Sequence, residues 1–186
     1  MTRKSLIVLT VLLTGCGMFS RGPKSEFYSL DTIPSEGAKA TVTGLPIGID
    51  GVELPPGLDR KDVALRGTDH RLEVRGTHQW ASPLEEMVIH TLAFDLANRL
   101  PDGMMILPGQ VKPGAMRSLS VTFEDLAAGQ DRVFVLDARW TLDGVTHHEH
   151  ITVNTDSLES AAIADAMSRA LATLADRIVV TLSSRA

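Results

Sequence analysis

Cys16 is the only cysteine in this 186-residue chain, and it closes the run Leu13-Thr14-Gly15-Cys16 directly behind a short apolar stretch. The thiolate is the side chain there that alkylates readily, so the chemistry on offer is transfer of a lipid to sulfur. The surrounding residues suit that chemistry. Arg3 and Lys4 hold the start of the chain on the cytoplasmic side, Ser5 to Leu13 form an apolar region too short to cross a bilayer, and Thr14 and Gly15 fit a peptidase cleft. Cleavage after Gly15 leaves an acylated cysteine as the new N-terminus. Each buried methylene of an attached chain contributes about 0.8 kcal/mol, so a cysteine carrying two or three chains stays on its membrane.

A second group with reactive residue types is His147-His148-Glu149-His150. On a strand, His148 and His150 share one face while His147 and Glu149 share the other, so these four do not converge on one ion, and the helical spacing of HExxH is absent. No metal is expected from them; the run reads as a solvated strand whose histidines are modulated by Asp137 and Arg139 across a hairpin. No serine sits in a GxSxG elbow, no glycine-rich loop cradles phosphate, and no thiol remains as a nucleophile once Cys16 is acylated. Glu85 is accounted for by helix capping, and Glu86 and Glu124 by exposed positions. No catalysis is expected, and no cofactor other than the covalent lipid on Cys16.

The elements that carry these residues follow from pattern. Gly17 to Ser25 is small, polar and broken by Gly22 and Pro23, which makes residues 16–25 an acylated cysteine and tether. Phe27 to Leu30 reads as a short strand. Leu45, Ile47 and Ile49 alternate before Gly51, and Val52 to Leu54 end at Pro55-Pro56-Gly57. Val63 to Arg66 and Arg71 to Arg75 pair as a hairpin through Gly67-Thr68-Asp69. Ser82, Pro83 and Glu85 predict a capping box opening a helix whose apolar face is Leu84, Val88, Leu92, Leu96 and Leu100. Trp80, just ahead of it, reads as a staple or core residue.

Met104 to Leu107 and the alternating Leu119, Val121 and Phe123 are further strands. The strongest strand pattern is Phe134, Leu136, Ala138, Trp140 and Leu142, and the Asp143-Gly144 turn sets Leu142 against Val145, Arg139 beside His148 and Asp137 beside His150. A last helix is predicted from near Asp156, with Glu159 completing a second capping box and Ile163, Met167, Ala170, Leu174 and Ile178 as its seam. Two helices and about seven strands predict an α+β, two-layer sandwich: one mixed sheet with both long helices on one face and a polar opposite face.

Size and charge narrow the function. Removing residues 1–15 as a signal peptide leaves 171 residues, the size of one domain, running from 26 to 186 behind the tether. The formal net charge of −5 becomes −7, since the removed segment carries two basic residues and no acidic one. An acidic body argues against nucleic acid and against lying flat on anionic lipid. With its thiol acylated the domain forms no disulfide, so packing alone stabilises it.

Val52-Glu53-Leu54-Pro55-Pro56-Gly57-Leu58-Asp59-Arg60, Val63 to Arg66, Trp80-Ala81-Ser82-Pro83-Leu84-Glu85 and Phe27 to Leu30, taken with the lipidation motif, resemble the ABC-type transport auxiliary lipoproteins, the PqiC/YmbA family. The resemblance runs in order and spacing from Cys16 to the last helix. One departure is Gly57, where that family often has an aromatic residue before Leu-Asp-Arg. The resemblance implies a lipoprotein of the outer membrane, facing the periplasm, that works with MCE-domain proteins of an inner-membrane complex to move lipid across the periplasm and maintain envelope integrity, without catalysis. Gly17, following the acylated cysteine where aspartate favours inner-membrane retention, fits export to the outer membrane. Asp59 and Arg60, with Trp80 nearby in the motif set, form a candidate partner-docking loop, with structural fixing of the loop as the alternative for the charged pair. Homo-oligomerisation and a lipid-binding carrier or chaperone role are left open. Intact-mass analysis of protein purified from its native membrane will show the mass of a lipidated Cys16 N-terminus, and an unmodified residue 16 would remove the basis of this reading.

Overall fold

Phe134, Leu136, Ala138, Trp140 and Leu142 are all buried in the computed structural model, which describes residues 24–184. Cys16 and the rest of the lipidation motif lie outside the described residues. In chain order the elements are β1 (Glu26–Tyr28), β2 (Ile47–Glu53), β3 (Asp62–Arg66), β4 (Leu72–Trp80), α1 (Leu84–Arg99), β5 (Met105–Ile106), β6 (Arg117–Ala128), β7 (Val133–Leu142), β8 (Val145–Asn154) and α2 (Ser160–Ser183). The α+β class is as the patterns predict. The strands, however, divide between two sheets: a three-stranded sheet in the order β1-β4-β3 and a five-stranded sheet in the order β5-β2-β6-β7-β8.

The five-stranded sheet is mixed, with β2 parallel to both β5 and β6, and β6, β7 and β8 forming an antiparallel meander. Asp143 (φ 53°) and Gly144 (φ 76°) supply the two left-handed residues that a two-residue turn of this hand needs. The register follows from that turn: Leu142 faces Val145, Arg139 faces His148, Asp137 faces His150 and Leu136 faces Ile151. Two bulges shift the alternation. Asp50 is the extra residue between Ile49 and Gly51, so Val52 turns inward with Ile47 instead of outward. Glu124 is the extra residue between Phe123 and Asp125, so Leu126 and Ala128 rejoin the buried face.

α1 packs on β2 and β5, α2 packs on β6, β7 and β8, and the two helices pack on each other. Leu92, Leu96 and Leu100 of the first helical segment and Ile163, Leu171, Leu174 and Ile178 of the second are almost fully buried in the layer so formed. Burial of each such side chain stabilises the fold by about 1.5–3 kcal/mol relative to exposure. No helix among the described residues is long and apolar enough to cross a membrane.

Neither predicted capping box forms. Pro83 is extended (ψ 131°), so α1 begins at Leu84, one residue late, and no side-chain cap hydrogen bond closes its first turn. Ala81 N–H is already engaged by the Tyr28 carbonyl at 2.8 Å, which holds this stretch in strand geometry. α2 likewise begins at Ser160 after an extended Glu159, while Ser157 Oγ accepts from Glu159 N–H in a local turn. Leu45 lies ahead of β2 and is exposed, outside the alternation assigned to it.

The segment that leads into the domain is bound to both helices. Asp31 N–H donates to Ser168 Oγ of α2 at 3.0 Å, and Ile33 N–H donates to Asp95 Oδ1 of α1 at 2.8 Å. Arg99, almost fully buried, donates to the carbonyls of Ile33 and Asp95 and pairs with Asp176 of α2 at 2.6 Å. Asp95 is fully buried and its Oδ2 has no hydrogen-bond partner. Burial pushes its carboxyl up to about 6, against the opposing effects of the Ile33 hydrogen bond and the Arg99 charge.

Because the folded-state value lies above the unfolded one, the folded protein binds the extra proton between these values, and stability falls as pH rises from about 4 to about 6. Urea titrations at stepped pH will therefore show Asp95→Asn losing this decline while keeping the acceptor for Ile33. An equal pH dependence in both proteins would show that Asp95 is not its source.

Candidate functional site

The loop between β2 and β3 carries the Asp59-Arg60 pair. Leu58 and Pro55 are buried and anchor it, with Leu58 N–H donating to the Pro55 carbonyl and Arg60 N–H to the Leu58 carbonyl. Gly57 adopts φ 86°, a conformation that an aromatic side chain would strain, so the departure from the family pattern at this position coincides with a glycine-specific turn. Asp59 is exposed; Arg60 is half-buried, and its Nε is buried without a hydrogen-bond partner. No ion pair joins the two residues, so they do not fix the loop as a charged pair. Trp80 is placed differently. It ends β4, its N–H donates to the Lys61 carbonyl, and only 6% of it is exposed. It packs as a core residue, and a ring so covered presents no surface to a partner.

The polar face of the meander collects the reactive side chains. His148 Nε2 lies 2.5 Å from Asp137 Oδ1 and His150 Nδ1 lies 3.0 Å from Asp137 Oδ2, so one carboxylate holds both rings. Arg139 donates to Glu124 at 2.6 Å, and Arg66 pairs with Asp125 at 2.8 Å. The bulge at Glu124 explains why two consecutive acids both reach this face: Asp125 stands opposite Asp137, and Glu124 is the inserted residue beside it. Simple alternation would have turned one of them inward. Desolvation raises the Asp137 carboxyl, but the two histidine hydrogen bonds and their charges outweigh it and hold it below the usual range. At Asp125 burial wins over the Arg66 charge and pushes the carboxyl up.

His147 and Glu149 point the other way, as strand geometry requires. His147 stacks on Trp140 with centroids 4.1 Å apart, and Glu149 lies 3.4 Å from Arg177 of α2. The run of four is thus split two and two.

A cleft of about 670 Å³ lies between the leading segment, β8 and α2. Ile33, Pro34, Val153 and Ala172 line it together with Glu36, Arg99, Arg169 and Asp176, so its wall mixes apolar and charged groups. A smaller cleft of about 320 Å³ beside the start of α1 is lined by Leu30, Met87 and His90 among others.

A helix pair covers one face of the five-stranded sheet, and the segment from Asp31 to Ile33 is hydrogen-bonded to both helices. Residues 28–179 match the family described as ABC-type transport auxiliary lipoprotein component, and the chain belongs to that family. It is similar to the intermembrane transport lipoprotein PqiC of Escherichia coli strain K12, with 24% identity over 144 residues, covering 76% of this chain and 74% of the relative. The Shigella flexneri protein of the same name matches to the same extent. The fold is also that of two crystal structures. An uncharacterized protein gives a TM-score of 0.72 at 17% identity, covering 87% of this chain and 100% of that one. Protein XCC0632 of Xanthomonas campestris gives 0.66 at 13% identity, covering 85% and 95%.

Proposed function

We propose that this chain is a periplasm-facing lipoprotein of the outer membrane, anchored through lipid on Cys16, that docks and positions an MCE-domain component of an intermembrane lipid-transport assembly without catalysing a reaction. The observation that carries the reading is the match of residues 28–179 to the transport auxiliary lipoprotein family, together with the likeness to PqiC. Within the domain, residues 31 and 33 bind Ser168 and Asp95, which fixes the entering segment against both helices. Lipidation chemistry at Cys16, the glycine after it, family membership and the transport function in the relatives' name all support the same reading.

The docking loop is Asp59-Arg60, because Asp59 is exposed on an anchored turn and Arg60 is not committed to an ion pair. A carrier that shields acyl chains needs a sizeable apolar cavity, whereas the larger cleft mixes Ile33, Pro34, Val153 and Ala172 with four charged residues and the more apolar cleft beside α1 holds only about 320 Å³. The positional reading is therefore preferred to the carrier.

Affinity purification of the full lipidated chain in mild detergent will recover an MCE-domain protein. Asp59→Lys will lower that recovery several-fold while the melting temperature holds, since the substitution is on the surface. Recovery of no MCE-domain protein by the wild type would overturn the proposed function; full recovery by Asp59→Lys would remove the loop from it.

A further inference from the structure

We propose that the polar face of the β6-β7-β8 meander is a binding site for one divalent first-row transition metal, of the zinc or copper class, with His148, Asp137 and Glu124 as ligands and His150 as a fourth that rotates in. Three independent features converge there. His148 and His150 stand two apart on one strand, which puts both imidazoles on the same face. Asp137, on the adjacent strand, lies within 3.0 Å of a nitrogen from each ring. The bulge in β6 delivers Glu124 to the same place, and the ligand atoms of Glu124, Asp137 and His148 all lie within 4.8 Å of one another.

Two imidazoles and a carboxylate, with room for solvent, are the donor set that three-ligand zinc sites and related transition-metal sites use, and hard cations such as magnesium prefer all-oxygen sets. The objection that the four consecutive residues 147–150 cannot meet is correct but does not reach this set, which takes two ligands from β8 and the others from β6 and β7. Arg139 is the competitor. Its guanidinium holds Glu124 at 2.6 Å, so a metal recruiting that carboxylate displaces it. Both histidines are about half exposed, so they reorient without disturbing the core.

The measurement is zinc and copper affinity of the full chain, purified without a histidine tag, by competition with a chromophoric chelator. One equivalent of each metal will bind, copper more tightly, as the general order for nitrogen and oxygen sites requires. His148→Ala, His150→Ala and Asp137→Asn will each weaken zinc by roughly 10- to 100-fold, a loss of the size that even supporting residues of metal sites produce. Arg139→Gln will tighten it by freeing Glu124, and His70→Ala, in the β3-β4 turn outside the ligand set, will leave it unchanged. Electron paramagnetic resonance of the copper form will show two imidazole nitrogens. No stoichiometric zinc or copper on the wild type, or wild-type affinity in the His148→Ala/His150→Ala double variant, overturns the site.

Discussion

The meander of β6, β7 and β8 is apolar on one face and polar on the other, and most of the architecture follows from the need to cover one side only. Leu119, Val121, Phe123, Phe134, Leu136, Ala138 and Trp140 cannot remain in water, and α2 with α1 beside it covers them. The same asymmetry leaves the opposite face to charged and imidazole side chains, which gather there partly exposed and paired with one another. The core and the polar cluster are therefore two results of one alternation.

Charge inside the helical layer is a different matter. Arg99 and Asp95 are buried between α1, α2 and the leading segment, where taking ions out of water costs several kcal/mol per charge before their pairing offsets it. Their value is geometric: Arg99 reaches Ile33, Asp95 and Asp176 at once, which fixes the angle between the helices and the path of the incoming chain together. An apolar substitute of the same volume could fill the space but could not hold the backbone of Ile33. The network thus ties the segment at Ile33 to both helices.

The bulge at Glu124 shows how a local irregularity creates chemistry. By inserting one residue it restores Leu126 to the core and at the same time presents Glu124 and Asp125 together to Asp137. Two arginines then pair with Asp125 and Glu124, and the histidines of β8 hold the third carboxylate, Asp137. The patch lies on the face away from the helices, so a ligand bound there would leave the core undisturbed.

Alternation and a left-handed turn act over a few residues, and for that reason the sequence by itself determined the β7-β8 register, the two helices and the split of residues 147–150 between faces, while the run ending at Cys16 supplied the expectation of a lipid anchor. Only the tertiary structure decided what depends on partners far along the chain. β4 runs on to Trp80 because Glu26 to Tyr28 pair beside its end, which divides the strands into two sheets and buries a ring that had been a candidate for docking. The helix starts moved because extended Pro83 and Glu159 are held by neighbouring pairings and turns that outweigh local capping preference. The approach of Glu124 to Asp137 and His148 needs a bulge and three strands in register, and no spacing along one segment encodes that meeting.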